Sequence, residues 1–389
     1  MRDYMVYLDN AATSFPKPAV VYDTINTFMR ESCANPGRSS HKMARESSGR
    51  IMKTRESLAA LFNIDNPLRI GFTANATIAL NMAIHGILKK GDHVVTTAME
   101  HNSVLRPLYE LKKNGLIDYT VVMPRNRFGS IDPLDISKAV RTNTRLIVIT
   151  ASSNVTGIII PYEEIGETAR KKGVYYLVDA SQGAGSLPID VKNMNINLMA
   201  FPGHKGLMGP QGTGGLYVDE NISLRPIIQG GTGSNSFETI HPLFMPDIVE
   251  AGTVNTPGIA GLGAGVDFIL EIGAKAILEK KELLLNTLYE RLAVNKSIKL
   301  YSKVENNQNS GIIALLIDGM DSSEIGNLLD SRYQIAVRPG FHCAPLAHKA
   351  LKTGQTGLVR LSMGYFNTVD EMHYAADSLI EIAGSRRSG

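Results

Sequence analysis

The sequence predicts an α/β fold: a large domain with a mainly parallel sheet flanked by helices, then a smaller C-terminal α/β domain. In the middle of the chain, short β-branched runs alternate with longer amphipathic segments, which is typical of parallel sheets covered on both faces. After Pro257 the pattern changes to a long helical segment, short strands and a final helix. We therefore place the large domain at 15–257 and the small domain at 258–389, with residues 1–14 packing near the functional site.

The elements of the large domain follow this alternation in order. The predicted strands are Leu68–Phe72, His93–Thr97, Tyr119–Met123, Leu146–Ala151, Val174–Asp179, Leu198–Phe201 and Gly215–Val218. The predicted helices are Ala76–Leu88, Ser103–Asn114, Asp132–Val140 and Tyr162–Lys172. Ligands of such sheets bind beyond the carboxyl ends of the strands, so polar residues at those ends are the functional candidates.

The smaller domain opens with a helical segment over Ile259–Val294 that we expect to break near Gly273. Its further predicted elements are the strands Lys299–Tyr301, Ile312–Ile317, Ile335–Val337 and Gly357–Leu361, and the final helix Val369–Ile382. Near the end of the large domain, residues 234–250 lack periodicity and are predicted to form a long loop near the site.

Composition excludes several classes of function. The 389 residues carry a formal net charge of only +3, which gives no case for nucleic-acid binding. No apolar run approaches the roughly 18 residues of a membrane span, and the N-terminus lacks the pattern of a signal peptide. Two cysteines, Cys33 and Cys343, are too few for a disulfide framework. We therefore expect a cytoplasmic protein, and no residue cluster predicts a metal site.

A lysine and an aspartate follow two neighbouring predicted strands. Asp179 ends one strand, and Lys205 follows the next in Gly203-His204-Lys205, ahead of a glycine-rich run. This pattern predicts a pyridoxal phosphate (PLP) site, in which the lysine binds the cofactor aldehyde and the aspartate keeps the pyridine nitrogen protonated. A lone lysine at a strand end is more often a solvated charge, so this interpretation depends on the other strand ends.

Two more strand ends carry suitable groups. Ala76 and Thr77 open a helix whose free N–H groups and Thr77 hydroxyl could hold a phosphate, although a plain N-cap by Thr73 or Asn75 is the alternative. His101 follows another strand. Its imidazole could stack on a planar cofactor ring and move protons, or it could simply hydrogen-bond at the start of a helix.

Amide and guanidinium groups complete the candidates for binding. Asn154 lies in a turn after a predicted strand, where it could contact the cofactor ring or the substrate, or could be part of an ordinary polar turn. Gln182 follows Asp179 and could donate a hydrogen bond to the cofactor phenolate oxygen. Arg360 lies within an apolar strand, where a buried guanidinium needs a carboxylate partner from the protein or from an amino-acid substrate.

Cys343 is a candidate nucleophile. It lies between Gly340 and Pro345, which predict a loop, with His342 adjacent and Arg338 nearby. These neighbours could activate an exposed thiol. The alternative is a small, buried, apolar cysteine, which is the commoner fate of a free thiol.

Together these motifs resemble the class V aminotransferase superfamily of fold type I PLP enzymes, and most of all its group II cysteine desulfurases and selenocysteine lyases. The resemblance covers nearly the whole chain in order. It includes the opening Tyr7–Thr13, the loop Asn35-Pro36-Gly37-Arg38, the segment Ala251-Gly252-Thr253, and the short span between Arg338 and Arg360, which looks like group II.

The resemblance assigns roles to the candidates. It implies that Lys205, Cys343 and His101 are catalytic, and that PLP contacts Lys205, Asp179, Gln182, His101, Asn154, Ala76, Thr77, His204 and Thr253. It implies a substrate site made of Arg360, Asn154, Arg38 and Ala11. Because Arg38 and Thr253 would come from the other chain, it also implies a homodimer with shared active sites.

The implied reaction converts L-cysteine to L-alanine and transfers the sulfur to Cys343 as a persulfide. Selenocysteine lyase activity, or transamination or β-elimination on another amino acid, remains an alternative. The sulfur acceptor could be an iron–sulfur scaffold, a carrier protein or a small thiol.

The chain departs from the family pattern at three positions. Asn75 stands where a glycine is usual, Pro202 where a serine or threonine is usual, and Phe341 where many relatives have a polar residue. Without the hydroxyl at 202, phosphate binding would depend more on Thr77, His204 and Thr253. Phe341 makes the cysteine loop more apolar, which leaves the preferred substrate open.

Overall fold

A computed structural model describes residues 5–37, 41–305 and 308–385. The strands, β1 to β13 in chain order, are Val6–Tyr7, Ile70–Thr73, Asp92–Thr97, Ile117–Val122, Thr144–Thr150, Tyr175–Asp179, Leu198–Pro202, Gly214–Val218, Ile298–Leu300, Ile312–Ile317, Ile335–Ala336, Arg338–Gly340 and Leu358–Ser362. The helices, α1 to α11, are Ala19–Glu31, Lys42–Phe62, Ala76–Ile87, Asn102–Lys113, Pro133–Ala139, Tyr162–Lys172, Thr256–Ile272, Ala274–Ala293, Ser322–Tyr333, Pro345–Ala350 and Val369–Ser385.

The central sheet has seven strands in the order β2-β8-β7-β6-β5-β3-β4. Strands β3 to β7 pair in parallel, which confirms the predicted α/β fold with a mainly parallel sheet. Strand β8 runs antiparallel to both β7 and β2. The reversal follows from the connection between β7 and β8, which contains no crossover helix of the kind a parallel pair requires.

Helices cover both faces of this sheet. Successive residues of β5 alternate between two hydrophobic clusters: Leu146 and Val148 pack with side chains of α3 and α4, whereas Ile147 and Ile149 pack with those of α2 and α6. Because neighbouring strand residues point to opposite faces, both faces are buried. Burial of both faces explains why these strands consist of nearly continuous runs of apolar residues.

A second sheet of four antiparallel strands lies in the C-terminal part, in the order β12-β13-β10-β9. The predicted break near Gly273 is confirmed, since α7 ends at Ile272 and α8 begins at Ala274. Helix α7 packs on α1 and α2, whereas α8 packs on α11. The strand expected at 335–337 does not join this sheet but pairs in parallel with β1. The division into domains at Pro257 stays a prediction.

The N-terminal segment connects the two sheets. Leu8 N–H donates to Ala336 O (2.9 Å), and Ser362 N–H donates to Leu8 O (2.7 Å). A few residues later, Ser14 N–H donates to His204 O (3.1 Å) beside the predicted reactive lysine. The segment therefore joins the end of β13 to the loop after β7. Within the described residues, we find no helix with the length and apolar character that crossing a membrane requires.

Candidate active site

A cavity at the carboxyl ends of the parallel strands brings most of the predicted residues together. Its lining consists of Asn75, Ala76, Thr77, His101, Ser103, Thr150, Asn154, Asp179, Ser181, Gln182, Pro202, His204 and Lys205. The last residues of β5, β6 and β7 (Thr150, Asp179 and Pro202) line the cavity, and His101 lies four residues after the end of β3. The sheet topology therefore assembles a polar site from distant parts of the chain.

Asp179 and Lys205 form the charged centre of this cavity. Asp179 is buried at the end of β6, where its Oδ1 accepts the Ser181 N–H (2.9 Å). Burial lowers the pKa of Lys205 to about 8, and the negative charge of Asp179 opposes that shift. Since a lowered pKa increases the neutral fraction of an amine near pH 7, Lys205 is suited to covalent bonding with an aldehyde.

His101 both caps a helix and lines the cavity. Its Nδ1 accepts the Ser103 N–H (3.1 Å) at the start of α4, so the neutral ring carries its proton on Nε2. The Ser103 hydroxyl lies 2.8 Å from Nδ1 and 2.7 Å from the Thr77 hydroxyl. Burial, above all, lowers the pKa of His101 and favours the neutral form. Sequence reasoning missed Ser103, although its spacing from His101 is that of a capping turn.

The turn before α3 keeps donors available. The Asn75 side chain caps the helix by accepting the Ile78 N–H (3.0 Å), which confirms the N-cap interpretation. The first-turn N–H groups of Ala76 and Thr77 remain beside the cavity, as expected of a helix N-terminus. Gly214 of β8 lies against this turn, where a Cβ would come within 3.0 Å of the Asn75 backbone. Because the Asn75 side chain caps only the Ile78 N–H, the helix N-terminus can be capped and still bind an anion through the N–H groups of Ala76 and Thr77.

Gln182 and His204 connect the cavity with the N-terminal segment. Gln182 Nε2 donates to Ala11 O (3.0 Å), so the amide holds that segment at the edge of the cavity. The His204 carbonyl accepts from Lys17 Nζ (2.7 Å), and burial lowers the pKa of the His204 ring to about 4. His204 Nδ1 is buried without a hydrogen-bond partner, so this ring retains an unused polar atom.

Arg360 is buried in β13 and has two partners. It donates to Asp9 Oδ1 (2.9 Å) and to Asn154 O (2.8 Å). Its Nε is buried without a partner, so one donor of the guanidinium is unused. Asp9 also accepts from Arg338 Nε (3.1 Å), so one protein carboxylate faces two guanidinium groups. Sequence reasoning anticipated a carboxylate partner for Arg360 but could not identify Asp9.

Cys343 lies on an exposed loop between β12 and α10, as expected of a reactive rather than a buried thiol. Asn102 N–H donates to Cys343 O (2.8 Å), and Asn154 Nδ2 donates to His342 O (2.6 Å). Asn154, which lines the cavity, and Asn102, which follows the lining residue His101, therefore hold the loop at the edge of the cavity. The amide nitrogen of Asn154 binds this loop, whereas the sequence predicted contact with the cofactor ring or the substrate.

The expectation that His342 activates the neighbouring thiol is wrong. The His342 ring is buried, and its Nε2 lies 3.0 Å from Arg338 O. Burial, reinforced by Arg360, lowers the pKa of His342 to about 3. A buried, neutral ring whose nitrogens are bonded elsewhere has no free position for a thiol proton.

Ala11, Arg360 and Cys343 do not line the cavity themselves, but Ala11, Arg360 and the Cys343 loop are hydrogen-bonded to residues that do. Thr253 is exposed and lines a different pocket, together with Thr73 and Ala74. Arg38 lies outside the described residues. The contributions of Thr253 and Arg38 across a dimer stay predictions.

One buried carboxyl escaped sequence reasoning. Glu100 precedes His101 and is fully buried, and burial raises its pKa to about 8. Its Oε1 accepts from the Thr97 hydroxyl (2.6 Å), and the charge of Asp179 adds to the pKa shift. Its adjacency to His101 was the only sequence signal. Among the described residues, no group of three His, Cys, Asp or Glu side chains could hold a metal ion.

Comparison with known proteins identifies the family. The profile described as "Aminotransferase class-V" matches residues 6–374. A relative from Methanothermobacter thermautotrophicus named "Probable cysteine desulfurase" is 36% identical, over 99% of this chain and 96% of its own length. The chain belongs to the class-V aminotransferase family.

Other members of this class-V family give a consistent comparison. "Cysteine desulfurase IscS" from Dictyoglomus turgidum is 30% identical over 98% of this chain and 95% of its own. The apo structure of a cysteine desulfurase from Thermococcus onnurineus superposes with a TM-score of 0.92 at 29% identity, covering 98% of this chain and 95% of that one. Such similarity gives the class-V chain the fold of a fold type I PLP enzyme.

Class-V enzymes of this kind depend on PLP, and the residues present fit that cofactor. Lys205 offers an amine with a lowered pKa, and Asp179 offers a buried carboxylate for a protonated ring nitrogen. The N-terminus of α3 and the unpaired Nδ1 of His204 provide polar groups beside one cavity. A covalent anchor, an anion for the ring and donors for a phosphate are therefore all available.

Proposed function

We propose that this chain is a PLP-dependent cysteine desulfurase that converts L-cysteine to L-alanine and takes the sulfur on Cys343. The observation that carries the proposal is the position of Cys343. Its exposed loop is hydrogen-bonded to Asn154, which lines the Lys205 cavity, and to Asn102, which follows the lining residue His101. An aminotransferase without sulfur chemistry would not need a thiol at that edge. The names of the chain's relatives support this choice of reaction.

The site would bind the substrate through its carboxylate. The unpaired Nε of Arg360 supplies a donor, and Asp9 and Asn154 fix the plane of the guanidinium. A planar guanidinium with a fixed orientation suits a carboxylate better than a flexible ammonium does. Lys205, Asp179, Gln182, His101, Thr77 and His204 would hold PLP, which when bound supplies a sink for the electron pair released at the substrate Cα.

Proton movement would be divided between two groups of this chain. Lys205, with a pKa of about 8, has enough neutral amine near neutral pH to take the Cα proton. His101 carries its ring proton on Nε2, because Nδ1 accepts from Ser103, and it can give that proton at the edge of the cavity if Nδ1 takes up a replacement proton, so that the ring stays neutral. The fixed tautomer makes His101 a donor rather than a base in its neutral form.

The sulfur step would then use Cys343. Its thiolate attacks the substrate sulfur, a sulfur–sulfur bond forms, and the substrate Cβ–sulfur bond breaks with its electron pair remaining on carbon. Protonation of Cβ yields alanine, so the carbon is reduced and the sulfur is oxidised to a persulfide. An acceptor thiol or carrier then takes the outer sulfur. The exposure of Cys343 suits this second transfer.

Turnover of L-cysteine by the PLP-loaded protein tests the proposal. Wild type should release alanine, Cys343→Ala should not, and Cys33→Ala should match wild type because Cys33 lies outside the cavity. Pyruvate in place of alanine would identify a β-lyase, and activity on selenocysteine alone would identify a selenocysteine lyase. Either result would overturn the desulfurase proposal.

We also propose that two copies share their active sites. Phe237, Ile240 and Leu243 are large apolar side chains, 65% exposed or more, in the loop that precedes Thr253. A second copy would cover them, since exposed apolar patches mark interaction surfaces. Mixing Lys205→Ala with Thr253→Ala chains should restore some turnover if sites are shared. A monomer by sedimentation, or no restoration in verified mixed dimers, would contradict the proposal.

A further inference from the structure

The cysteine loop contains two consecutive residues with left-handed backbone conformation. His342 has φ of 51° and Cys343 has φ of 55°. Each costs on the order of 1 kcal/mol or more for a residue other than glycine, so surrounding contacts must hold them there. Asn154 Nδ2 and Asn102 N–H fix the two carbonyl oxygens. The side chain of His342 points into the protein, where it meets a second histidine.

The second histidine, His348, belongs to α10 and is almost completely buried. Its Nε2 lies 3.3 Å from His342 Nδ1, and its Nδ1 lies 2.8 Å from the Thr353 hydroxyl. The two rings are nearly parallel, at 18° with 5.5 Å between centroids. The Phe341 ring packs edge-on against His348, at 5.4 Å and 79°. The apolar residue at position 341 therefore helps to cover the histidine pair.

The hydrogen bonds of this pair have a single consistent direction. Arg338 O can only accept, so His342 Nε2 carries the ring proton and Nδ1 is an acceptor. His348 must then donate from Nε2, which makes its Nδ1 an acceptor for the Thr353 hydroxyl. The chain runs from Thr353 through His348 and His342 to Arg338 O. Protonation of His342 at Nδ1 would set two N–H donors against each other unless His348 changed tautomer, whereas protonation of His348 at Nδ1 would only require the Thr353 hydroxyl to accept.

The surroundings favour the neutral state of both rings. Burial lowers the pKa of His348 to about 4. Burial also lowers the pKa of His342, and the positive charges of Arg360, His348 and Arg338 add to the shift, while the hydrogen bond to the Arg338 carbonyl opposes it. No carboxylate contributes to either shift. At neutral pH the pair is therefore an uncharged connection between α10 and the cysteine loop.

We propose that His348 is a positioning residue for Cys343: it donates to His342 Nδ1 and thereby holds both left-handed residues, and with them the thiol, at the edge of the Lys205 cavity. This inference rests on the proposed desulfurase function and specifies what its nucleophile requires. His342 serves the loop as a fixed bridge, and the exposed thiol exchanges its proton with solvent. Displacement of a reacting atom by about 1 Å can cost roughly 100-fold in rate, so a loss of this bridge should be measurable.

Two substitutions separate positioning from general stability. His348→Leu keeps comparable volume but removes the donor, whereas His348→Gln can place an amide N–H near the position of Nε2. Both are made in the PLP-loaded protein with a Cys33→Ser background, so that Cys343 is the only thiol. Three rates are measured: alanine release from L-cysteine, exchange of the L-alanine Cα proton in deuterated water, and alkylation of Cys343 by iodoacetamide.

The proposal predicts that His348→Leu lowers alanine release about 10- to 100-fold, changes the alkylation rate, and leaves the Cα exchange rate within about 2-fold of wild type. It predicts that His348→Gln restores both alanine release and alkylation to within about 3-fold of wild type. Unchanged alanine release in His348→Leu would overturn it. So would a parallel loss of Cα exchange, or a glutamine variant no better than the leucine variant.

These readouts separate failure of the inference from failure of the proposed function. If wild type exchanges the Cα proton but never forms alanine, the desulfurase function is wrong. The alkylation rate then tests the positioning role by itself, because alkylation requires no turnover. A changed alkylation rate in His348→Leu that recovers in His348→Gln would support the role. Equal alkylation rates in wild type and both variants would overturn it.

Discussion

The two reactive regions of this molecule are built in opposite ways. Asp179 ends β6, Lys205 follows the neighbouring parallel strand β7, and both line a cavity, where burial shifts the pKa of Lys205. Cys343 lies on an exposed loop between a three-residue strand and a six-residue helix, with its conformation set by hydrogen bonds to two backbone carbonyls. The first region changes the chemistry of its groups through burial. The second fixes the position of a group that stays accessible.

This difference follows from what each region must do in the proposed reaction. A covalent amine and a ring-binding carboxylate work on one bound molecule, so they benefit from a dry, rigid site. A sulfur carrier must meet the substrate on one side and an acceptor on the other, which requires exposure. Mutations should therefore affect cofactor spectra and affinity in the first region, but transfer rates in the second.

The largest effect is expected for Lys205→Ala. The variant loses the amine that binds the cofactor aldehyde, so the visible absorption band of the lysine-bound cofactor should disappear and activity should fall by about 10³-fold or more. The matched control is Lys281→Met, because burial lowers the pKa of Lys281 to about 8 as well. Survival of the band in Lys205→Ala, or its loss in both variants, would contradict the assignment.

Asp179→Asn should have the next largest effect. Without the carboxylate, the pKa of Lys205 falls further, because Asp179 is the main group that raises it. The ring nitrogen also loses its counter-charge, and we expect kcat to fall about 10²- to 10⁴-fold with a shifted absorption maximum. Asp135→Asn, which removes an exposed ion pair with Arg125, is the control and should leave the spectrum unchanged. An unshifted absorption spectrum in Asp179→Asn would contradict the contact between Asp179 and the cofactor ring nitrogen.

Arg360→Lys sharpens the comparison by testing substrate binding. Lysine keeps the charge but not the planar group that bonds Asp9 and Asn154, so KM for L-cysteine should rise about 10-fold with a smaller change in kcat. Arg338→Lys is the control, since Arg338 also bonds Asp9 but is about half exposed. Steady-state kinetics over a range of L-cysteine concentrations measures both. Equal changes in KM for the two variants would argue against a carboxylate site at Arg360.

The smallest expected effect is on the pH dependence of the free energy of unfolding. The folded-state pKa values of His342 and His348, about 3 and about 4, lie below the usual value near 6.5, so the unfolded chain binds protons first as pH falls. The histidine pair therefore contributes stability that is present above about pH 6.5 and is lost progressively as pH falls from about 6 to 4. Denaturant unfolding at several pH values should show that the free energy of unfolding falls less steeply with decreasing pH in His348→Gln than in wild type. Identical slopes would contradict burial of a neutral His348.

Much of the strand-end site could be predicted from the sequence because its signals are local. Asp179 ends a run of apolar residues and Lys205 precedes a glycine-rich run, and parallel strands bring such ends together whatever their separation. The pairing of Arg360 with Asp9 could not be predicted, since 351 residues separate the two. A buried guanidinium indicates that it needs a carboxylate but not which one.

The error over His342 has a physical cause. Adjacency in sequence suggested that its imidazole would meet the Cys343 thiol, but the left-handed backbone at both residues turns the imidazole into the protein. There it meets His348, which the sequence analysis did not single out. Strand β8 is a similar case: an apolar run predicts a strand, whereas its direction depends on how the chain returns after β7.

The most direct test of the account locates the sulfur after one turnover. The PLP-loaded protein is mixed with less than one equivalent of L-cysteine and no other thiol, alanine is quantified, and the peptide that contains Cys343 is examined by mass spectrometry. The account predicts one alanine for each sulfur atom gained by Cys343, and neither product in Cys343→Ser, which should keep its cofactor absorption. Equal alanine release by Cys343→Ser, or added sulfur on Cys33, would contradict the central claim that the buried cavity releases the sulfur and the exposed loop receives it.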